Sequence, residues 1–268
     1  MKQKLTIVKV GGAVVEDELQ LSRLLNDFSA IEGNKLLVHG GGRRATKVAA
    51  QLGIESQMVN GRRITDASML EVVTMVYGGL VNKNLVARLQ ACGVNALGLT
   101  GADIDIIRSH RRPPVPVAAE NAGSAPQYID YGFVGDVEKA DGQRLADLIG
   151  SGITPVIAPL THDGKGHILN TNADTMASEV ATALAPFYEV TLVFAFEKPG
   201  VLADADDDNS VIPTINATDF KRYKADGTIS GGMLPKIENA LQAVEKGVAR
   251  VVITKADAIG SDAGTIIC

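Results

Sequence analysis

Two apolar runs in this chain end in glycine clusters and hand over to helical patterns: LTIVKVGG at 5–12 and NKLLVHGGG at 34–42. A short, β-branched run without polar alternation predicts a strand buried on both faces. A glycine stop followed by a 3.6-residue period predicts a helix that folds back over it. The same alternation continues through helical stretches at 18–31, 44–53 and 66–92, and a strand running into a polar turn at 96–103. DIIRS predicts another strand, and FVGDVEKADGQRLADLIGSGITPVIAP predicts strand, capped helix, glycine stop and strand, with Asp141 at the helix start. HILNTNADTMASEVATALA predicts a polar turn feeding a helix. VTLVFAF, a helix over 235–247 and RVVIT complete the pattern. Strand–helix alternation of this kind restricts the chain to an α/β fold: an open, mainly parallel sheet sandwiched between helices. Twenty-eight glycines with no tryptophan suit such a close-packed aliphatic core.

The 268 residues allow two lobes sharing one sheet. A net charge of −5 gives no basic footprint, which argues against nucleic acid as a partner. No apolar stretch reaches the length of a membrane span, and no leader pattern opens the chain, so a cytoplasmic protein without membrane attachment is expected. Cys92 and Cys268 make no disulfide framework and no metal spacing. Residues 111–128 carry four prolines and many small residues, which predicts a mobile loop or β-ribbon tip acting as a lid.

Lys9 is the anomaly in the first strand. An ammonium on a strand apolar on both faces is costly unless an anion or water meets it. Ligands of open α/β sheets lie beyond the C-terminal strand ends, where Lys9 stands beside the glycine turns. Glycine lets backbone N–H groups approach an anion unobstructed, so Lys9, Gly11, Gly12, Gly41 and Gly42 form a candidate phosphate cradle. The alternative is a pair of tight turns with a snorkelling lysine. Neither G-x-x-x-x-G-K-[ST] nor a strand-to-helix G-x-G-x-x-G occurs, so any nucleotide would be held by another device.

LNTNAD supplies Asn170 and Asn172, whose amides suit a carboxylate or amide ligand, and Asp174, which also fits a first-turn acid. ISGGMLPK places Lys236 in a first helical turn, against the macrodipole, where an anionic neighbour is expected unless the lysine is simply solvated. The four histidines lack ligand spacing. DADDDN at 204–209 lacks the glycine and distal glutamate of a calcium loop, so no metal site is predicted.

Taken in order, KVGG, VHGGG, NGRRIT, FVGDV…PVIAP, LNTNAD and GGMLPK resemble the amino acid kinase family, over residues 4 to 255. More narrowly they resemble its N-acetylglutamate kinase branch, which serves arginine biosynthesis. The resemblance implies an N-terminal lobe (1–187) for the acylated amino acid and dimerisation, and a C-terminal lobe (188–268) for ATP with Mg2+. It implies transfer of the γ-phosphoryl group to the side-chain carboxylate of an N-acylglutamate. It makes Lys9 and Lys236 the lysines flanking that group and Asp174 the residue positioning them. Gly41, Gly42, Arg63, Asn170 and Asn172 then face the substrate. Gly11, Gly12, Gly200, Thr228, Ile229 and Ser230 face phosphate or nucleotide. A carboxylate acceptor is already ionised near neutral pH and needs no general base. Phosphoryl transfer asks chiefly for alignment and positive charge.

Two departures stand out. FEKPGVL replaces the family's usual hydroxyl residue and Asp-Val before the glycine, which obscures the adenine and ribose contacts. Arginines crowd the substrate end (Arg43, Arg44, Arg62, Arg108, Arg111, Arg112), as surface charge or as a site for a second carboxylate on the acyl group, such as N-succinylglutamate carries. Arginine-regulated hexamers of the branch have an additional N-terminal helix, and Lys9 lies within ten residues of the start, which leaves no room for it, so a homodimer without arginine feedback is expected.

Overall fold

The computed structural model describes residues 1–59, 62–117, 127–261 and 263–268. Asn60 and Gly61 of NGRRIT, and residues 118–126 of the expected lid, lie outside them.

One eight-stranded sheet organises the chain. Its strands in chain order are β1 (Gln3–Val10), β2 (Asn34–His39), β3 (Ala96–Leu99), β4 (Thr154–Ile157), β5 (Tyr188–Phe196), β6 (Thr214–Ile215), β7 (Arg250–Lys255) and β8 (Thr265–Ile267). Across the sheet the order is β6-β8-β7-β5-β1-β2-β4-β3, and every pairing except β7 with β8 is parallel. The two halves of the chain therefore meet at the β1–β5 ladder, inside a continuous sheet.

Nine α-helices flank it: α1 (Gly12–Glu16), α2 (Glu18–Ala30), α3 (Gly42–Gln51), α4 (Ala67–Val73), α5 (Asn82–Ala91), α6 (Gly142–Gly150), α7 (Ala173–Leu184), α8 (Ala217–Ala225) and α9 (Met233–Glu245), counted among the described residues. The stretch expected as one helix over 66–92 is continuous but not uniform, because Thr74–Val81, which contains Gly78 and Gly79, is a π-helix between α4 and α5. Helix α8 and the short strands β6 and β8 carry too few residues, or too polar a pattern, to stand out in the sequence. Asn216 caps α8 through Thr218 and Asp219.

The period of two in β1 sorts its side chains onto two cores. Leu5 and Ile7 join Val190, Leu192 and Phe194 under α7 and α9. Val8 and Val10 join Val193 under α2, α3, α4 and α5. Each such aliphatic side chain contributes about 1.5–3 kcal/mol when fully buried. By the same alternation Lys9 shares the face of Leu5 and Ile7, and Phe196 shares the face of Leu192 and Phe194.

A smaller sheet runs Ile168–Asn170, Leu160–His162, Ile107–Arg111, Gly135–Ala140 and brings Asn170 to the mouth of the main sheet. Val115–Val117 and Gln127–Ile129 pair antiparallel as a ribbon, in keeping with the ribbon expected over 111–128.

Candidate active site

The helices sort by how they begin. Asp17, Asp66, Asp141, Asn172 and Asn216 cap α2, α4, α6, α7 and α8 with side-chain oxygens. Helices α1, α3 and α9 begin at Gly11, Gly41 and Gly232, without any side-chain cap. The first-turn N–H groups of α1 and α3 lack the intrahelical partners that later ones have and are open to a ligand, whereas in α9 Met233 and Leu234 give theirs to the Ser230 and Gly231 carbonyls. The glycines after β1 and β2 interlock: a Cβ on Gly40 would lie 3.0 Å from the Gly12 nitrogen, and one on Gly41 would lie 2.8 Å from Tyr77 Cδ1. A Cβ on Gly12 would lie 3.4 Å from both the Gly41 and Gly42 nitrogens, so three of the expected cradle residues form one backbone surface.

Behind that surface His39 is fully buried. Its Nδ1 lies 2.8 Å from the Gly40 carbonyl oxygen and its Nε2 3.1 Å from Asn82 Nδ2. Asn82 Nδ2 also donates to the Val156 carbonyl at 2.9 Å, which orients the amide. The neutral tautomer with its proton on Nδ1 satisfies both contacts, and burial pushes the imidazole pKa down to about 4. His39 thus fixes the carbonyl at the start of the glycine run.

On the α7 side, Lys9 is buried and its Nζ lies 2.5 Å from Asp174 Oδ1, in the first turn of α7. The contact is an ion pair by distance, without the angle of a directed hydrogen bond. The Lys236 ammonium lies 3.6 Å from the centroid of the Phe196 ring, and the Lys9 ammonium lies 5.4 Å from the same centroid. Two lysines 227 positions apart in sequence therefore flank one aromatic ring at the C-terminal end of β5. Burial pushes the Lys236 pKa down, the Asp174 carboxylate pulls it up, Lys9 pushes it down and Glu197 pulls it up. The anionic neighbour expected for a lysine at a helix start is Asp174.

A cavity of about 190 Å³ opens beside this group, and it includes Gly41, Gly42, Arg62, Arg63, Asn170 and Asn172 in its wall. Arg63 is buried, and its Nη2 donates to the Gly42 carbonyl and to Thr46 Oγ1, each at 2.9 Å, while Nη1 contacts Ser56 Oγ. Three of its five N–H donors are so engaged among the described residues, and the Tyr77 side chain also interacts with the guanidinium. Asn170 donates from Nδ2 to Thr65 Oγ1 at 3.0 Å. Asn172 Oδ1 caps α7 through the N–H groups of Asp174 and Thr175. Both the capping and the ligand-facing expectations for Asn172 are compatible with this, since its Nδ2 has no partner among the described residues.

The C-terminal expectations are more dispersed. Gly200 is a close-packing glycine, where a Cβ would lie 2.8 Å from Val211 Cγ1 and 2.9 Å from Thr265 Oγ1. Ile229 buries its side chain in the core and gives its N–H to the Tyr223 carbonyl, so only its carbonyl remains to face a ligand. Thr228 is half-buried and Ser230 exposed, just before α9. The acidic run at 204–209 is tied internally by turns and by Lys198, whose Nζ lies 2.7 Å from Asp208. Sequence reasoning missed Phe196 and Tyr77. Phe196 carried a signal, as the last aromatic of an apolar strand on the face and at the edge where ligands gather.

A family model described as the amino acid kinase family matches residues 4–255, and the chain belongs to that family. Within it, the acetylglutamate kinase of Bacteroides fragilis is 63% identical over 267 residues, covering 100% of this chain and 98% of the relative. The acetylglutamate kinase of Cytophaga hutchinsonii is 52% identical over 257 residues, covering 96% of this chain and 93% of the relative. Among solved structures, the smu.665 protein of Streptococcus mutans superimposes with a TM-score of 0.74 at 26% identity, covering 98% of both chains.

Proposed function

We propose that this enzyme transfers the γ-phosphoryl group of ATP to the side-chain carboxylate of N-acetyl-L-glutamate, giving the acyl phosphate used in arginine biosynthesis. The observation that carries the mechanism is the convergence of the Lys9 and Lys236 ammonium groups on one ring beside the glycine surface. A carboxylate oxygen attacks the γ-phosphorus, and the bond to the β,γ-bridging oxygen breaks with its electron pair leaving on ADP. Charge grows on the transferred and leaving oxygens, where two fixed cations and unsatisfied N–H groups act most strongly.

In this scheme Lys9 and Lys236 neutralise that charge, and Asp174 holds Lys9 in place. Gly11 and Gly12 donate to the phosphates, and Gly41 and Gly42 to the acceptor end. Arg63 takes the α-carboxylate with its remaining donors, since its planar fork matches two oxygens. Asn170 and Asn172 meet the acylated amino group. Gly200, Thr228, Ile229 and Ser230 border the nucleotide, in a C-terminal lobe (188–268) set against an acceptor-binding lobe (1–187). Mg2+ belongs with the ATP phosphates and water, where it offsets phosphate charge. Among the described residues no group of three or more His, Cys, Asp or Glu side chains could hold a metal ion, and Asp174 is already engaged by Lys9.

Hydroxylamine trapping tests the proposal. With ATP and N-acetyl-L-glutamate, a hydroxamate is expected, and free L-glutamate gives none. Hydroxamate from free L-glutamate alone contradicts the assignment.

A second acceptor, N-succinyl-L-glutamate, is favoured by Arg62. This half-buried side chain lines the cavity with no hydrogen bond or ion pair among the described residues, while neighbouring Arg112 is held by Asp136 at 2.6 Å. Burial and the Arg112 charge both push the Arg62 pKa down. A cation in that situation suits a second carboxylate. Turnover of N-acetyl-L-glutamate equal to or above that of N-succinyl-L-glutamate removes this reading.

The assembly belongs to the same proposal: a homodimer, built along the edge of the sheet where Leu97 of β3, Met75 and Leu80 are exposed. Light scattering that gives a monomer or hexamer contradicts it. No helix among the described residues is long and apolar enough to cross a membrane, and a cytoplasmic site of action is part of the proposal.

A further inference from the structure

Lys9 and Lys236 are held differently. Lys9 has a carboxylate at 2.5 Å. Lys236 has no hydrogen bond or ion pair among the described residues, and its direct partner is the face of Phe196, with the ammonium 3.6 Å from the ring centroid. We propose that Phe196 is a positioning residue for phosphoryl transfer, its π-face holding the Lys236 ammonium over the site, charged and uncommitted, until the nucleotide phosphates take it.

A half-buried ammonium is disfavoured unless something attracts it. A carboxylate in direct contact would attract it most strongly, but would also neutralise it and compete with the incoming phosphate. The negative face of an aromatic ring attracts a cation without hydrogen bonding it or cancelling its charge. The ring also bears on both lysines, since Lys9 lies 5.4 Å from the same centroid. It can therefore hold two like charges on one small site, beside the Asp174 carboxylate at Lys9 and with Glu197 also acting on Lys236 through space.

The ring is itself held firmly. Phe196 ends β5, whose neighbouring residues Phe194 and Ala195 are in register with Lys9 and Val10 of β1. It is stacked on Phe194, with centroids 6.2 Å apart and planes 7° from parallel. Lys236 comes from the first turns of α9, a helix start that lacks a side-chain cap. A fixed platform thus sits beneath a flexible four-carbon stem.

This inference rests on Lys236 taking part in phosphoryl transfer, and the experiment separates the two. Phe196→Met keeps an apolar side chain of similar reach without a π-face, and Phe196→Tyr keeps the face. For Phe196→Met we expect kcat to fall roughly 5- to 30-fold, with KM for the acylglutamate unchanged. The basic limb of its pH–kcat profile moves to lower pH, because the charged ammonium has lost a stabilising partner. Phe196→Tyr is expected to retain wild-type kcat and profile, which a merely bulky packing role for residue 196 would not require of Tyr over Met. Wild-type kcat and profile in Phe196→Met overturns the proposal. Equal losses in Phe196→Met and Phe196→Tyr overturn it too. Lys236→Met is the control: wild-type kcat there overturns the underlying role of Lys236 whatever Phe196 does.

Discussion

Acid should destabilise this protein through one buried imidazole. His39 is fully buried, donates from Nδ1 to the Gly40 carbonyl and accepts at Nε2 from Asn82. Protonating Nε2 would set a new proton against an amide N–H, and turning the amide would break its bond to Val156. Burial accordingly holds the folded pKa at about 4, against 6.5 unperturbed. Between these values the unfolded chain binds the proton and the folded chain does not, so stability is complete above pH 6.5 and falls as pH drops towards 4. The full gap corresponds to about 3 kcal/mol, of which about 2.5 kcal/mol is lost between about pH 7 and about pH 4.5. Urea unfolding at those two pH values should be compared for wild type and His39→Asn, whose Nδ2 can still donate to Gly40 but does not titrate. Carboxylates contribute alike to both proteins and cancel in the comparison. The loss between the two pH values should be smaller in His39→Asn by about 2 kcal/mol or more. Equal losses in both proteins would refute the assignment of that acid sensitivity to His39.

Three substitutions extend the account. In Gly142→Ala the new Cβ would overlap the backbone carbonyl oxygen of Ala183 and lie 3.1 Å from Phe187, so urea unfolding should register a loss of about 3 kcal/mol. Unchanged stability would contradict that packing. Asn172→Ala removes the cap of α7 and should cost about 1 kcal/mol in the same assay. Arg62→Leu should raise KM for N-succinyl-L-glutamate about tenfold or more, while leaving KM for N-acetyl-L-glutamate within about twofold. A uniform rise would make Arg62 a general wall of the cavity.

Much of the fold was legible because parallel strands buried on both faces leave continuous apolar runs, and glycine stops leave sharp boundaries. LTIVKV and VTLVFAF became β1 and β5 at the centre of the sheet. The small sheet was harder to see, since Leu160–His162 and Ile168–Asn170 are three residues each, too short for a period. The π-helix over Thr74–Val81 keeps a helical composition and leaves no mark of its own in the pattern. At the site, Lys9 declared itself through its cost in an apolar strand, and Asp174 answers that cost from α7. Phe196 offered only its place at the end of an apolar strand, where an aromatic residue is ordinary, and the third dimension alone sets two ammonium groups around it. Ile229 shows the reverse: its place in a motif-bearing loop suggested a nucleotide contact, while its side chain belongs to the core.

The central claim is that Lys9 and Lys236 act together on the transferring phosphoryl group. Its most direct test is the rate of hydroxamate formation from ATP and N-acetyl-L-glutamate by Lys9→Met and Lys236→Met, with urea unfolding to verify that each variant is folded. The account predicts that either change lowers kcat by about a hundredfold or more, with the double variant losing far less than the product of the two single losses. Near wild-type turnover in either folded single variant would contradict it.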